Sequence, residues 1–413
     1  MRRRGVRPQR SASEWVTRGL LTMIVAVAGY ASVVPTLAYL LRAGDIGSAH
    51  VLAPGDGRIT ALLSQRLAGD GATASDRAQA DLLARRALQQ DATALPAAAT
   101  LGANAQARGD TAGARRLFAY AQTLSRRDLQ THFWAIEDAV GRGDVASALR
   151  HYDIALRTSR EAPAVLFPVL ASAISDPAIR SALSRTLVGK PLWGDAFIDF
   201  VAGRGTDVRA IADLFLRLER TSIVPETAKS ATVNRLISSG FPGDAWSYYA
   251  AIRPGARRDA SRDPRFAADL ASPSLLDWIP INDPGITTSI QRGDTGGVFD
   301  FAAPSSVGGR LLQQMQMLRP GTYRLQGHSA GIDQLAPARP YWLLSCSDGR
   351  EIGRVDLPNS AQANGMFKGQ FTVPAGCPLQ LLTLVARPSD AIGGLTGQID
   401  QVRLFSAAGG VEK

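Results

Sequence analysis

The sequence predicts a chain that is helical first and β-rich second: an N-terminal membrane helix, an array of helical repeats, and a C-terminal antiparallel sandwich. Three observations carry this reading. From Gly19 to Leu41 there is no charged residue, behind an arginine-rich start. Between about residues 80 and 160, small and aromatic residues recur 34 positions apart. After Asp263-Pro264, short apolar runs alternate with turn residues. A chain of 413 residues is too long for one compact core, so two or three domains are expected.

The N-terminal element is defined by charge. Arg2, Arg3, Arg4, Arg7, Arg10 and Arg18 precede the apolar run, with Glu14 the only acid among them. The 23 residues of GLLTMIVAVAGYASVVPTLAYLL rise roughly 34 Å as a helix, enough for a hydrocarbon core of about 30 Å. The basic flank predicts a cytoplasmic tail over residues 1–18, a transmembrane helix over 19–41 and everything after Arg42 outside the cytoplasm. A cleaved signal peptide is the rival, but its apolar core runs 7–15 residues and ends at a small-x-small site. Leu40-Leu41-Arg42-Ala43 does not supply one. A buried core helix is a second rival, and it leaves the arginine cluster without a role. Pro35 falls inside the helix, where a membrane setting tolerates it.

The repeats span residues 46–262. Gly109-Asp110, Ala114, Phe118 and Ala121 return 34 residues later as Gly143-Asp144, Ala148, Tyr152 and Ala155. Ala80, Ala84 and Ala87 sit 34 residues ahead of Ala114, Phe118 and Ala121, and Leu101-Gly102 precedes Gly109. Small residues let paired helices approach, and the aromatic fills the gap to the next pair. This spacing resembles tetratricopeptide repeats. The resemblance implies a short right-handed solenoid whose concave face binds protein partners rather than catalysing. The first repeat lacks the turn glycine, and Arg126 and Arg160 stand where the family's proline falls. The pattern blurs between Pro163 and Lys190. Gly240, Ala245, Tyr249 and Ile252 show the same offsets again, while Gly205, Ala210 and Leu214 fit less fully.

Residues 273–408 read as the sandwich. Ten apolar runs occur there: 275–281, 286–291, 297–303, 310–318, 322–328, 341–347, 351–357, 366–373, 379–386 and 397–405. They are separated by turns such as Pro320-Gly321, Ser347-Asp348-Gly349 and Asn364-Gly365. The opening Leu276-Asp277-Trp278, the Leu318-Arg319-Pro320-Gly321 turn into Tyr323 and Leu325, and the closing Ile399-Asp400 to Val402 and Leu404 strand resemble a jelly roll of the carbohydrate-binding-module type. That resemblance makes Trp278 and Trp342 candidates for stacking on a sugar ring, against core filling, and Asp400 a candidate calcium ligand, against an exposed strand residue. Cys346 and Cys377 are the only cysteines, both in the sandwich. An even pair in an oxidising compartment is expected to close as a disulfide, against two buried free thiols or a redox pair lacking C-x-x-C spacing.

Chemistry is sparse. His50, His132, His151 and His328 show no ligand spacing, so no metal site is expected. There is no G-x-S-x-G elbow and no P-loop lysine motif. The segment 293–297 reads as a hairpin loop, and its Asp294-Thr295-Gly296 is too short to mean an aspartic protease. Glu137 and Asp138 are adjacent on a helix and do not share a face. No catalytic residue and no cofactor is expected, and the protein reads as a non-enzyme.

The net charge is +10, yet Lys stands only at Lys190, Lys229, Lys368 and Lys413, so Arg makes up 42 of the 46 basic residues. Arginine with abundant alanine reflects a GC-rich coding sequence, and no basic stripe is interleaved with aromatics, so no nucleic acid is expected. Together these features predict a single-pass protein of a bacterial inner membrane with its bulk in the periplasm. Its expected role is a scaffold for building or exporting envelope polysaccharide, holding protein partners on the repeats and glycan on the sandwich. The alternatives are an assembly factor of another envelope machine, such as division or secretion, and a sandwich enzyme with an unrecognised site.

Overall fold

The computed structural model describes residues 12–269, 271–293, 296–389 and 392–407. The chain divides into two compact units, Met1–Pro163 and Ala164–Lys413.

The first unit holds α1 (Ala12–Leu41), α2 (Ile46–Leu52), α3 (Gly57–Leu67), α4 (Ala74–Gln90), α5 (Leu95–Ala107), α6 (Thr111–Leu124), α7 (Leu129–Gly141) and α8 (Val145–Thr158). The 34-residue signal has a physical source in its turns. Gly109 and Gly143 adopt φ of +82° and +71°, a left-handed conformation that ends the preceding helix and that glycine takes without strain. The next backbone amide then reaches back, Asp110 N to Ala105 O at 2.9 Å and Asp144 N to Ala139 O at 2.8 Å. The aspartates cap the following helices, accepting from Gly113 N at 2.7 Å and Ser147 N at 2.9 Å. The small residues lie where pairs of helices meet: Ala80, Ala84, Ala87, Ala114 and Ala121 have no exposed surface. A Cβ on Gly102 would sit 2.9 Å from the Phe118 ring, which explains the Leu-Gly step in α5. Phe118 in turn stacks on Trp134, with ring centres 4.5 Å apart.

The second unit starts with α9 (Ala162–Ala173), which straddles the boundary, and continues through α10 (Pro177–Val188), α11 (Gly194–Arg204), α12 (Val208–Leu218), α13 (Glu226–Ser238) and α14 (Pro242–Ile252). The repeat turn returns at Gly240, with φ of +81° and Phe241 N bonded to Leu236 O at 2.9 Å. Ala245, Tyr249 and Ile252 are buried after it. Gly205 has an ordinary φ of −62°, so that join lacks the left-handed turn, although Ala210 and Leu214 are buried as the offsets expect.

Among the described residues ten strands follow, one for each apolar run: β1 (Ile279–Pro280), β2 (Thr287–Gly293), β3 (Gly296–Ala303), β4 (Gly309–Gln316), β5 (Gly321–Ala330), β6 (Tyr341–Cys346), β7 (Glu351–Asp356), β8 (Met366–Val373), β9 (Gln380–Ala386) and β10 (Leu395–Ser406). They form two antiparallel sheets in the orders β1-β4-β9-β6-β7 and β2-β3-β10-β5-β8. Burial alternates along the strands, so one face of each sheet fills a common core around Phe299, Leu325, Trp342, Phe371, Leu384 and Leu404. The first run is mostly not strand. Residues 274–277 turn on themselves, with the Asp277 carboxylate accepting from Ser274 N at 2.8 Å and Ser274 Oγ at 2.6 Å.

Inside this unit the last helices are bonded to the sandwich. Tyr249 on α14 donates to Asp277 Oδ1 at 2.7 Å, and Asn234 on α13 accepts from Leu275 N at 2.8 Å. Arg262 lies between them. Its guanidinium donates to Leu276 O at 2.9 and 2.8 Å, to Gln316 Oε1 at 3.1 Å and to Met315 O.

The helix packing makes a testable demand. Ala114 and Ala148 are 0% and 5% exposed. Replacing either with Phe should overpack its helix pair and cost about 1–3 kcal/mol, read as a lower midpoint in thermal or urea unfolding. Unchanged midpoints for both variants would show that the helix register is misassigned.

Candidate functional site

Helix α1 is long and apolar enough to cross a membrane, and an 18-residue apolar window of it holds no buried residue. Met23 and Val25 are each 69% exposed, and Leu20, Val27 and Val33 are exposed as well. The arginines at 2–10 that gave the sequence its orientation lie outside the described residues. The far end of α1 behaves differently. Ala38 is fully buried in a cluster with Ile46, Ala49 and Ile59, and Asp45 N bonds to Leu41 O at 2.8 Å. The apolar helix therefore runs into the helical array through one tight turn, with the Arg42 guanidinium over the Tyr39 ring at that point.

The array carries a groove of about 750 Å³ along α4 and the end of α5. It is lined by Arg77, Asp81, Leu82, Arg85 and Arg108, with alanines at Ala72, Ala74, Ala78 and Ala107. Asp81 is held by Asn104 Nδ2 at 2.7 Å and by Arg108 at 2.8 Å. Arg77 and Arg85 make no side-chain hydrogen bond or ion pair among the described residues, and the Arg77 Nε is buried without a partner. A second groove, of about 280 Å³, involves Arg115, Trp134, Glu137, Asp138 and Arg142. There Asp138 accepts from Arg115 at 2.8 Å and Arg142 at 3.1 Å, which holds its carboxyl below the usual range. Glu137 takes no part in that pairing.

In the sandwich, Cys346 at the end of β6 and Cys377 before β9 are joined as a disulfide, with Cα atoms 5.6 Å apart. Trp278 and Trp342, the candidates for stacking on sugar, are 5% and 0% exposed. Their rings lie 5.9 Å apart in the core, and Trp278 also meets Phe266 at 5.6 Å. Stacking on a sugar needs an open ring face, so neither indole offers it, and core filling is the role they take. Asp400 is exposed on β10 and bonds His328 Nδ1 of β5 at 2.9 Å, and beside it Gln398 donates to Asp300 at 2.5 Å. Among the described residues no three His, Cys, Asp or Glu side chains gather to hold a metal. Gly293 and Gly296 pair across the β2–β3 hairpin, and Asp294 and Thr295 lie outside the described residues.

The sequence gives no hint of one contact. His132 on α7 and His151 on α8 are 19 residues apart, and their Nδ1 atoms come within 3.3 Å. His132 Nε2 donates to Arg126 O at 3.0 Å, so its Nδ1 is left to accept and the proton between the rings belongs to His151. The helical register brings them together, and no motif encodes that register. Burial lowers the pKa of His151 most, followed by the nearby His132 ring and the Arg150 charge. His50 is lowered by burial and by Arg86.

Two predictions arise here. Opening the disulfide removes a crosslink between residues 31 apart, which in the chain-entropy account costs about 3–4 kcal/mol. Urea unfolding with and without reductant, beside a Cys346→Ser/Cys377→Ser variant, should show that loss, and identical midpoints would deny the bridge a structural role. The histidines set a pH dependence. Both folded-state pKa values lie below the ordinary 6.5, so in the window beneath 6.5 the unfolded chain binds more protons. Stability then falls as pH drops through that window. The melting temperature should be lower at pH 5.5 than at 7.5, and His50→Gln/His151→Gln should shrink the difference.

No protein-family model matches the chain, and no curated protein sequence does. Among solved structures, a carbohydrate-binding module of Cellvibrio mixtus lichenase 5A, in complex with cellotriose, is 12% identical, with 32% of this chain and 98% of that one covered and a TM-score of 0.21. Human IFIT1 is 16% identical over 51% of this chain and 57% of that one, with a TM-score of 0.23. The enzymatically active domain of a tailspike protein from bacteriophage CBA120 is 13% identical over 31% of this chain, which spans 18% of its length, at a TM-score of 0.23. At these values none of the likenesses transfers a ligand or an activity to this chain.

Proposed function

We propose that this protein is a membrane-anchored scaffold on the outer side of a bacterial inner membrane, which holds its partners rather than transforming them. The observation that carries the reading is helix α1: an apolar surface left exposed along most of its length and joined to the helical array at its far end by a single tight turn. Water does not stabilise such a surface, and a lipid bilayer does. The Cys346–Cys377 disulfide supports an oxidising side, because such crosslinks persist outside the cytoplasm. The grooves of the array supply recesses for a protein partner, as stacked helical hairpins commonly do.

In its finer form, the partner belongs to the machinery that builds or exports an envelope polysaccharide, and the sandwich contacts the glycan. Asp300, Gln398, Asp400 and His328, polar groups on neighbouring strands of one sheet face, would meet sugar hydroxyls there. A second reading has the sandwich bind protein as well, as in an assembly factor for division or secretion. The burial of Trp278 and Trp342 favours it, since the sandwich loses its two stacking platforms. Screening the full chain against a glycan array separates the two.

The topology is tested by fusing alkaline phosphatase after Lys413. The enzyme needs an oxidising compartment, so an active fusion is expected. A stable but inactive fusion would place the bulk of the chain in the cytoplasm and end the scaffold reading.

A further inference from the structure

Resting on the scaffold reading, we infer that the α4 groove is a docking site for an extended acidic peptide, with two carboxylates about four residues apart around an apolar side chain. Three arginines, Arg77, Arg85 and Arg108, line the groove against one aspartate, Asp81. That aspartate is already engaged by Arg108 and Asn104. Arg77 and Arg85 are therefore the two groove charges with no ion-pair partner among the described residues, and a ligand carboxylate would supply acceptors to their guanidinium groups. Nearby Asp76 makes no ion pair with either, its carboxylate capping α4 by accepting from Thr73 N at 2.9 Å and Thr73 Oγ1 at 2.7 Å.

The spacing sets the length of the motif. Arg77 and Arg85 are eight residues apart on one helix, a rise of about 12 Å. Four residues of extended peptide cover about 13 Å, so acids at the first and fifth positions reach both guanidinium groups. Leu82 lies between the arginines on α4 and is 69% exposed, an apolar contact for the peptide's middle residue. Ala72, Ala74, Ala78 and Ala107 keep the walls low enough for a backbone to enter. No aromatic side chain lines the groove, so it lacks a stacking platform for sugar rings and fits an acidic peptide better than an acidic polysaccharide.

The test uses the full chain purified in detergent and a fluorescein-labelled Glu-Ala-Leu-Ala-Glu peptide followed by anisotropy. Saturable binding that weakens with salt is expected, at least fivefold weaker for Gln-Ala-Leu-Ala-Gln and at least tenfold weaker for Arg77→Gln/Arg85→Gln. A variant with lost binding must melt at the wild-type temperature to count. Arg85→Glu provides the second check: it should prefer Lys-Ala-Leu-Ala-Glu or its reverse, Glu-Ala-Leu-Ala-Lys, over the parent peptide. Equal affinity for the acidic and amide peptides, or wild-type binding by Arg77→Gln/Arg85→Gln, overturns the inference. So does an absence of peptide binding alongside tight binding of polygalacturonate. These outcomes do not depend on which side of the membrane the chain occupies, so they are independent of the phosphatase fusion.

Discussion

Arg262 is the residue on which the second unit most depends. A guanidinium with 5% of its surface exposed would be severely destabilised unless hydrogen-bonded on every side. Here the backbone carbonyls of Leu276 and Met315 and the amide oxygen of Gln316 surround it, and its own amide meets Gln314 Oε1 at 3.2 Å. Gln314 returns a bond to Arg262 O at 3.0 Å, and Gln316 donates to Gln314 Oε1 at 2.8 Å. Burial pushes the guanidinium pKa down to about 10, which still leaves it charged at neutral pH. Tyr249 and Asp277 lie beside it, so the charge, the hydroxyl and the carboxylate form one satisfied network between α14 and the sandwich. Removing any member strands the others, because an unpaired buried polar group costs more than the bond returns.

The first unit rests on a different constraint, the chemistry of the helix turn. Glycine in a left-handed conformation ends one helix, and aspartate caps the next. The pair appears at Gly109-Asp110 and Gly143-Asp144, the cap alone appears at Asp45, Asp56 and Asp128, and Asp176 and Asp207 cap helices of the second unit in the same way. Alanine at the crossing points then fixes how near the helices stand. These rules leave surface positions free, and in α4 those positions carry the open arginines. A scaffold gains from this division, since the packing residues are not those that meet a partner.

Much of the architecture was legible because the physics behind it is local. Twenty-three uncharged residues imply an apolar helix whatever surrounds them. The Gly-Asp turn and the small residues after it give a 34-residue period that a single chain displays directly. Nine of the ten described strands follow their apolar runs closely, the run 275–281 being the exception, because alternation along a strand reflects one buried and one wet face. The pairing of Cys346 with Cys377 followed from their being the only two thiols.

What tertiary structure alone decided is which side chains meet and which are covered. Trp278 and Trp342 look the same in sequence whether they face sugar or core, and only the closing of two sheets over them settles it. His132 and His151 become neighbours through the crossing of α7 and α8, a geometry no local pattern specifies. The sequence marks Arg262 merely as one arginine among 42. Its burial depends on strands more than 50 residues away, at Gln314 and Gln316, and the arginines of the α4 groove come to line one recess only through the packing of α4 against α5. Local pattern determined the elements, and long-range packing determined which of their residues are available for binding.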